Sequence, residues 1–184
     1  GSEEALVIEA EDNLLEYIET TVRGDTLEIG SREGTNLQPT EPVIYNLTVK
    51  SLASISVSGL GNVVVPELEA TRFSVDISGA GDVNLDSLHA EQLVVSVSGL
   101  GSVGIDAGQV SAQTIDISGS GDYNGRNLES QTTDIQVSGL GSATLWATQD
   151  LLVNISGSGS VRYAGDPNVD SDISGLGSLE KIND

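Results

Sequence analysis

Carboxylates set beside glycine corners are the residues of this chain best placed by type and spacing to do chemistry. Asp76 and Asp82 flank Gly79-Ala80-Gly81, and Asp116 and Asp122 flank Gly119-Ser120-Gly121. Hard oxygens at such turns could ligate Ca²⁺, which takes about 6–8 of them. Calcium-clasping coils built on Gly-Gly-x-Gly-x-Asp repeat about every nine residues. Here the two acidic corners lie 40 residues apart (119 − 79), and each Asp follows the second glycine directly. Solvated turn aspartates are the simpler reading, with calcium kept as the one candidate cofactor. Asp76, Asp82, Asp116 and Asp122 are its candidate ligands.

Acid–base catalysis needs a base or a paired acid at close range. The single histidine, His89, stands on a loose arm beside Leu88 and reads as a surface residue. Arg72 and Arg126 occupy similar arms and read as surface ion-pair formers. Sugar-binding platforms would draw on Tyr123, Tyr163 and Trp146. Both tyrosines fall at inward positions of the pattern described below, and Trp146 aligns with Leu128 and Leu88, so packing explains all three. A stripe of corner leucines, Leu60, Leu100, Leu140 and Leu176, remains as a candidate partner-binding line. If the side chains point outward they form an apolar patch of the kind that marks a contact site. If they fold over the small residues of adjacent coils they are corner packing, which is the expected arrangement.

The elements that carry these residues follow from a repeat. Ser-Gly-x-Gly occurs seven times, with first glycines at 59, 79, 99, 119, 139, 157 and 175. The steps between them are therefore 20, 20, 20, 20, 18 and 18. A fixed period of this length predicts a solenoid, each repeat forming one coil stacked on the last. Two places before each glycine stand Val57, Ile77, Val97, Ile117, Val137, Ile155 and Ile173. Four places before stand Ile55, Val75, Val95, Ile115, Ile135 and Val153, with small polar residues between. This period-2 alternation marks strands with one face inside. It resumes after the corner with Val63, Val83, Val103, Tyr123, Ala143, Val161 and Leu179. Two short strands per coil are thus predicted, joined at a glycine corner whose backbone angles suit glycine, with a looser arm completing the coil. Parallel stacking with right-handed crossovers is expected.

The corner residue alternates large and small, through Leu60, Ala80, Leu100, Ser120, Leu140, Ser158 and Leu176. Aspartates flank Ala80 and Ser120, whereas Ser, Asn or Gln flanks Leu60, Leu100 and Leu140. Like charges directly opposite on neighbouring strands destabilise a sheet. A two-coil unit that spreads carboxylates about 10 Å apart follows from that cost. Residues 1–184 read as one β-helix domain. Within it, 1–50 are an N-terminal cap or degenerate coils, 51–179 the regular coils and 180–184 the C-terminal end. Ala5–Ala10, Leu14–Val22, Leu27–Ile29 and Val43–Val49 read as strands of the first segment. Glu180, Lys181 and Asp184 supply edge charge at the far end.

Composition limits the function. The chain has 184 residues, 22 glycines, no cysteine and a formal charge of −21, from 7 basic and 28 acidic residues. Such a field repels nucleic acid and anionic membranes. Without cysteine there are no disulfides and no thiolate metal sites. No apolar run is long enough to span a membrane. A chain that opens at Gly1-Ser2 and has no methionine anywhere fits an upstream targeting segment.

The Ser-Gly-x-Gly corners resemble those of the head GIN domain of auto-transporter adhesins, common in Bacteroidetes. So do Asp12-Asn13-Leu14-Leu15, Gly24-Asp25-Thr26-Leu27-Glu28-Ile29, and Tyr163-Ala164-Gly165-Asp166-Pro167 leading into Ile173-Ser174-Gly175. That resemblance implies a right-handed β-helix in an exported protein of the cell surface, outer membrane or periplasm. It brings no catalytic residues with it. The expected role is a non-catalytic surface or envelope scaffold, adhesive in action, presenting a repetitive acidic face to an extracellular protein or glycan. The alternatives are a polysaccharide lyase or hydrolase on the same scaffold, and a self-associating envelope component.

Overall fold

The structure, a computed structural model of the chain, describes residues 3–183. Gly1, Ser2 and Asp184 lie outside the described residues. Two compact units form, Gly1–Lys50 and Ser51–Asp184.

The first unit contains β1 (Ala5–Glu9), a one-turn helix α1 (Asp12–Leu15), β2 (Ile18–Arg23), β3 (Thr26–Ser31) and β4 (Ile44–Thr48). β1 pairs with β4 and β2 with β3, both antiparallel. These strands therefore pair with one another and not in the coil-to-coil manner of a solenoid. Gly24 takes φ +62 in the β2–β3 turn, a conformation that glycine reaches without strain. Leu14–Val22 does not form a single strand. Asp12 lies in the first turn of α1, where a carboxylate suits the helix dipole, and Leu14 is buried.

The second unit runs β5 (Ser54–Val57), β6 (Val63–Val65), β7 (Leu68–Ile77), β8 (Val83–Leu85), β9 (Leu88–Val97) and β10 (Ser102–Ile105). It continues with β11 (Gly108–Ile117), β12 (Asp122–Val137), β13 (Ser142–Ile155), β14 (Ser160–Ala164), β15 (Asn168–Ile173) and β16 (Ser178–Lys181). Every pairing among these strands is parallel and joins each coil to the next. One ladder climbs from β5 through β7, β9, β11, β12 and β13 to β15. The other climbs from β6 through β8, β10, β12, β13 and β14 to β16. The result is an all-β solenoid of about six turns with coils of about 20 residues.

The alternating residues build the core as expected. Ile77, Val97, Ile117 and Val137 stack in register and are fully buried, with Val75, Val95, Ile115 and Ile135 beside them. Each such side chain contributes about 1.5–3 kcal/mol relative to exposure. The arms are more ordered than expected. β7, β9 and β11 extend through them, and Leu68, Leu88, Gly108 and Leu128 pair in register. In β12 and β13 strand structure runs through the arm without a break.

Candidate functional site

The seven corners share one geometry. From Ala80 onward, the backbone N–H of each corner residue donates to the first glycine's carbonyl in the preceding coil. Ala80 N–H donates to Gly59 O at 3.0 Å, Leu100 to Gly79 at 2.9 Å and Leu140 to Gly119 at 3.0 Å. A Cβ on Gly79, Gly99, Gly119, Gly139, Gly157 or Gly175 would overlap the carbonyl oxygen of the glycine one coil below. None of these glycines has positive φ, so backbone freedom is not what selects them. Close approach of coil to coil does. Gly59 and Gly61, in the first coil, would meet nothing within 4 Å.

The flanking glycines face the stack, and the residue between them faces solvent. Leu60 is 84%, Leu100 72%, Leu140 70% and Leu176 90% exposed. The corner leucines therefore do not pack over their neighbours. They stand clear as a ridge on alternate coils, separated by the short Ala80, Ser120 and Ser158. Beside them runs a ladder of exposed serines, Ser58, Ser78, Ser98, Ser118, Ser138, Ser156 and Ser174.

Asp82 and Asp122 bond forward along the stack. Asp82 Oδ1 accepts the N–H and the hydroxyl of Ser102, and Asp122 Oδ1 accepts the same pair from Ser142. Asp76 and Asp116 lie on the outer face of β7 and β11, in register with Ser96 and with Ser96 and Gln136. The four aspartates are not gathered into a calcium cage. Among the described residues no group of three or more His, Cys, Asp or Glu could hold a metal ion.

His89 is exposed on β9, in register with Glu69 and Gln109. With Glu69, Thr71 and Glu91 it lines a shallow open depression. Arg126 donates to the Asn183 backbone carbonyl at 3.2 Å and forms no ion pair among the described residues. Arg72 forms no ion pair among the described residues. No helix among them is long and apolar enough to cross a membrane.

The fold recurs in known proteins. The family described as "Putative auto-transporter adhesin, head GIN domain" matches residues 1–167. The chain belongs to that family. Two solved structures described as putative adhesins are similar to this head GIN domain. One, from Bacteroides fragilis, has 25% identity and a TM-score of 0.93, the match covering 98% of this chain and 83% of that one. The second, from Parabacteroides distasonis, has 25% identity and a TM-score of 0.79, over 96% and 83% of the two chains. A third, also from Parabacteroides distasonis and described as a putative lipid binding protein, shares the fold. Its identity is 23% and its TM-score 0.74, over 96% and 83% of the chains. No curated protein matches.

The interior of this head GIN domain holds a polar network that the sequence reading missed. Tyr123 donates its hydroxyl to Gln113 Oε1 at 2.7 Å. Gln113 Nε2 donates to Ser130 Oγ and to Thr133 Oγ1, both at 3.0 Å. Ser130 Oγ donates in turn to the Trp146 carbonyl at 2.7 Å. All four side chains are buried, and burial pushes the Tyr123 phenol well above its ordinary range. No buried side-chain polar atom among the described residues lacks a partner. Gly125 makes room for the ring, since a Cβ there would overlap the Tyr123 hydroxyl. The sequence did carry a mark of this network. Gln113, Thr133 and Gly125 interrupt otherwise apolar columns in adjacent coils.

Trp146 does not align with Leu128. It pairs with Glu129 and Ala164, because the register slips between Gly125 and Glu129. That slip shortens the pairing offset from 20 residues (Gly125↔Leu145) to 17 (Glu129↔Trp146), and a second shift between Ser130 and Thr132 sets it at 18. Trp146 sits half-buried, its ring against Gly165, whereas Tyr123 and Tyr163 face inward as expected.

Proposed function

We propose that this domain is a non-catalytic binding scaffold of the bacterial cell surface or envelope, exported and adhesive in action. It binds through a long repetitive face and not through one pocket. The observation that carries this reading is the outward stacking of the corners. Identical serines and alternating leucines are presented coil after coil by the solenoid of a strongly acidic chain. Kinship to proteins described as adhesins supports it. The depression at His89 is shallow and open to solvent, so His89, Glu69 and Glu91 are not enclosed in a recess, which weighs against hydrolase or lyase chemistry there.

A glycan and matrix-protein binding array tests the reading, run with and without calcium. Saturable binding to an extracellular glycan or protein is the expected result. Absence of binding, together with release of products from a polysaccharide lost in His89→Ala, would establish the carbohydrate-active alternative instead.

A further inference from the structure

We propose that the leucine ridge docks an extended, basic, polyproline II-type protein segment with an apolar residue at every third position. This deepens the scaffold reading and rests on it.

The first argument is one of period. The leucines stand on alternate coils, so at about 4.8 Å per coil successive side chains are about 9.6 Å apart. Three residues of polyproline II advance about 9.3 Å and return to the same face. From Leu60 to Leu176 the ridge makes three such steps, and the two periods drift apart by only about 1 Å. An α-helix with an apolar residue every seventh position advances about 10.5 Å per step and drifts by nearly 3 Å. A β-strand puts its third residue on the opposite face. Ala80, Ser120 and Ser158 leave gaps between the leucines into which the partner's apolar groups can seat.

Charge supplies the second argument. Within four residues of a corner's central residue the chain carries Asp76, Asp82, Asp116, Asp122, Asp172 and Glu180, against a single basic residue, Arg162. A second copy would bring the same charge and be repelled. A partner with Lys or Arg between its apolar residues would be attracted, and the attraction would fade with salt.

The test is a fluorescence-anisotropy titration with a labelled peptide of Leu-Pro-Lys repeats, against a peptide of the same composition with its leucine spacing shuffled. The repeat peptide should bind the full chain more tightly than the shuffled one. Leu100→Ser/Leu140→Ser should weaken it by at least about tenfold. Asp76→Asn/Asp116→Asn should weaken it less and flatten its salt dependence. Because these side chains are exposed, thermal melts of the variants should match the parent. Equal binding of the shuffled peptide, or no effect of the leucine changes, overturns the proposal. So does sedimentation showing self-association that the leucine changes abolish, since a second copy would then occupy the ridge. An array ligand whose binding ignores the leucine changes would sink the ridge while leaving the scaffold reading standing. No array ligand at all would sink both.

Discussion

The Oδ1 atom of Asp82 accepts two hydrogen bonds from one residue of the next coil, the Ser102 N–H at 2.8 Å and its hydroxyl at 2.7 Å. Asp122 holds Ser142 in the same way, at 2.9 and 2.6 Å. The alternation of acidic and neutral corners therefore does more than space charge. Asp82 and Asp122 each find a serine N–H and hydroxyl in the coil above, so at this position an aspartate coil is followed by a serine coil. Asn62 begins the column by accepting the Asp82 N–H at 3.3 Å.

Removing one partner of such a pair should destabilise the solenoid modestly. Ser102→Ala and Asp122→Ala are each expected to cost about 1 kcal/mol, with Asp122→Asn costing less because an amide oxygen still accepts. Urea denaturation of the full chain measures this. Midpoints unchanged from the parent would show that water replaces the bonds without loss.

Position in the stack should decide how an alanine is received at a corner. Gly99→Ala sets a methyl against the Gly79 carbonyl oxygen and is expected to cost about 2–4 kcal/mol. Gly59→Ala, with no coil below it, should fall within about 1 kcal/mol of the parent and could stabilise by restricting the unfolded chain. Thermal melts of the two variants compare them directly. Equal losses would show that backbone conformation governs both sites.

The buried network should behave as a unit. Tyr123→Phe leaves Gln113 Oε1 without its donor and is expected to cost about 1–3 kcal/mol. Gly125→Leu alone overpacks against the tyrosine ring, at a similar cost. The triple change Gln113→Leu/Tyr123→Val/Gly125→Leu restores the apolar coil seen at Leu93, Val103 and Ile105. It should lose less than the sum of its parts, and calorimetry on all members of the cycle reads the coupling. Strict additivity would mean the three residues act independently.

Near the C-terminal end, Lys181 bonds and pairs with Asp166. The hydrogen bond from Lys181, and then its charge, hold the Asp166 carboxyl below its ordinary value of 3.8. A depressed folded-state value stabilises above the unfolded-state value, so the contribution is present at neutral pH and is lost as pH falls through the folded one. An NMR titration should place Asp166 below 3.8 in the parent and back near it in Lys181→Met. Identical titration curves would refute the pairing in solution.

Much of the solenoid was legible because its determinants are local. Alternation along Phe73-Ser74-Val75-Asp76-Ile77 requires no knowledge of what lies above it, and all three apolar residues are buried. The arms were harder to read, since Glu69-Ala70-Thr71-Arg72 alternates poorly and is held in strand form by its neighbours in register. Trp146 was misaligned because the slip from a 20-residue to an 18-residue coil falls in an arm, where no glycine marks the register.

By itself the sequence determined the coil period, the parallel stack and the inward set of residues, since each is written in spacing and in side-chain polarity. Tertiary structure alone decided which way Leu60, Leu100, Leu140 and Leu176 point. It also decided why the corner glycines cannot carry a side chain, and that Tyr123, Gln113, Ser130 and Thr133 meet in the core. Those outcomes depend on the few ångströms between one coil and the next. That distance is set by the packed stack as a whole, and no repeat contains it alone.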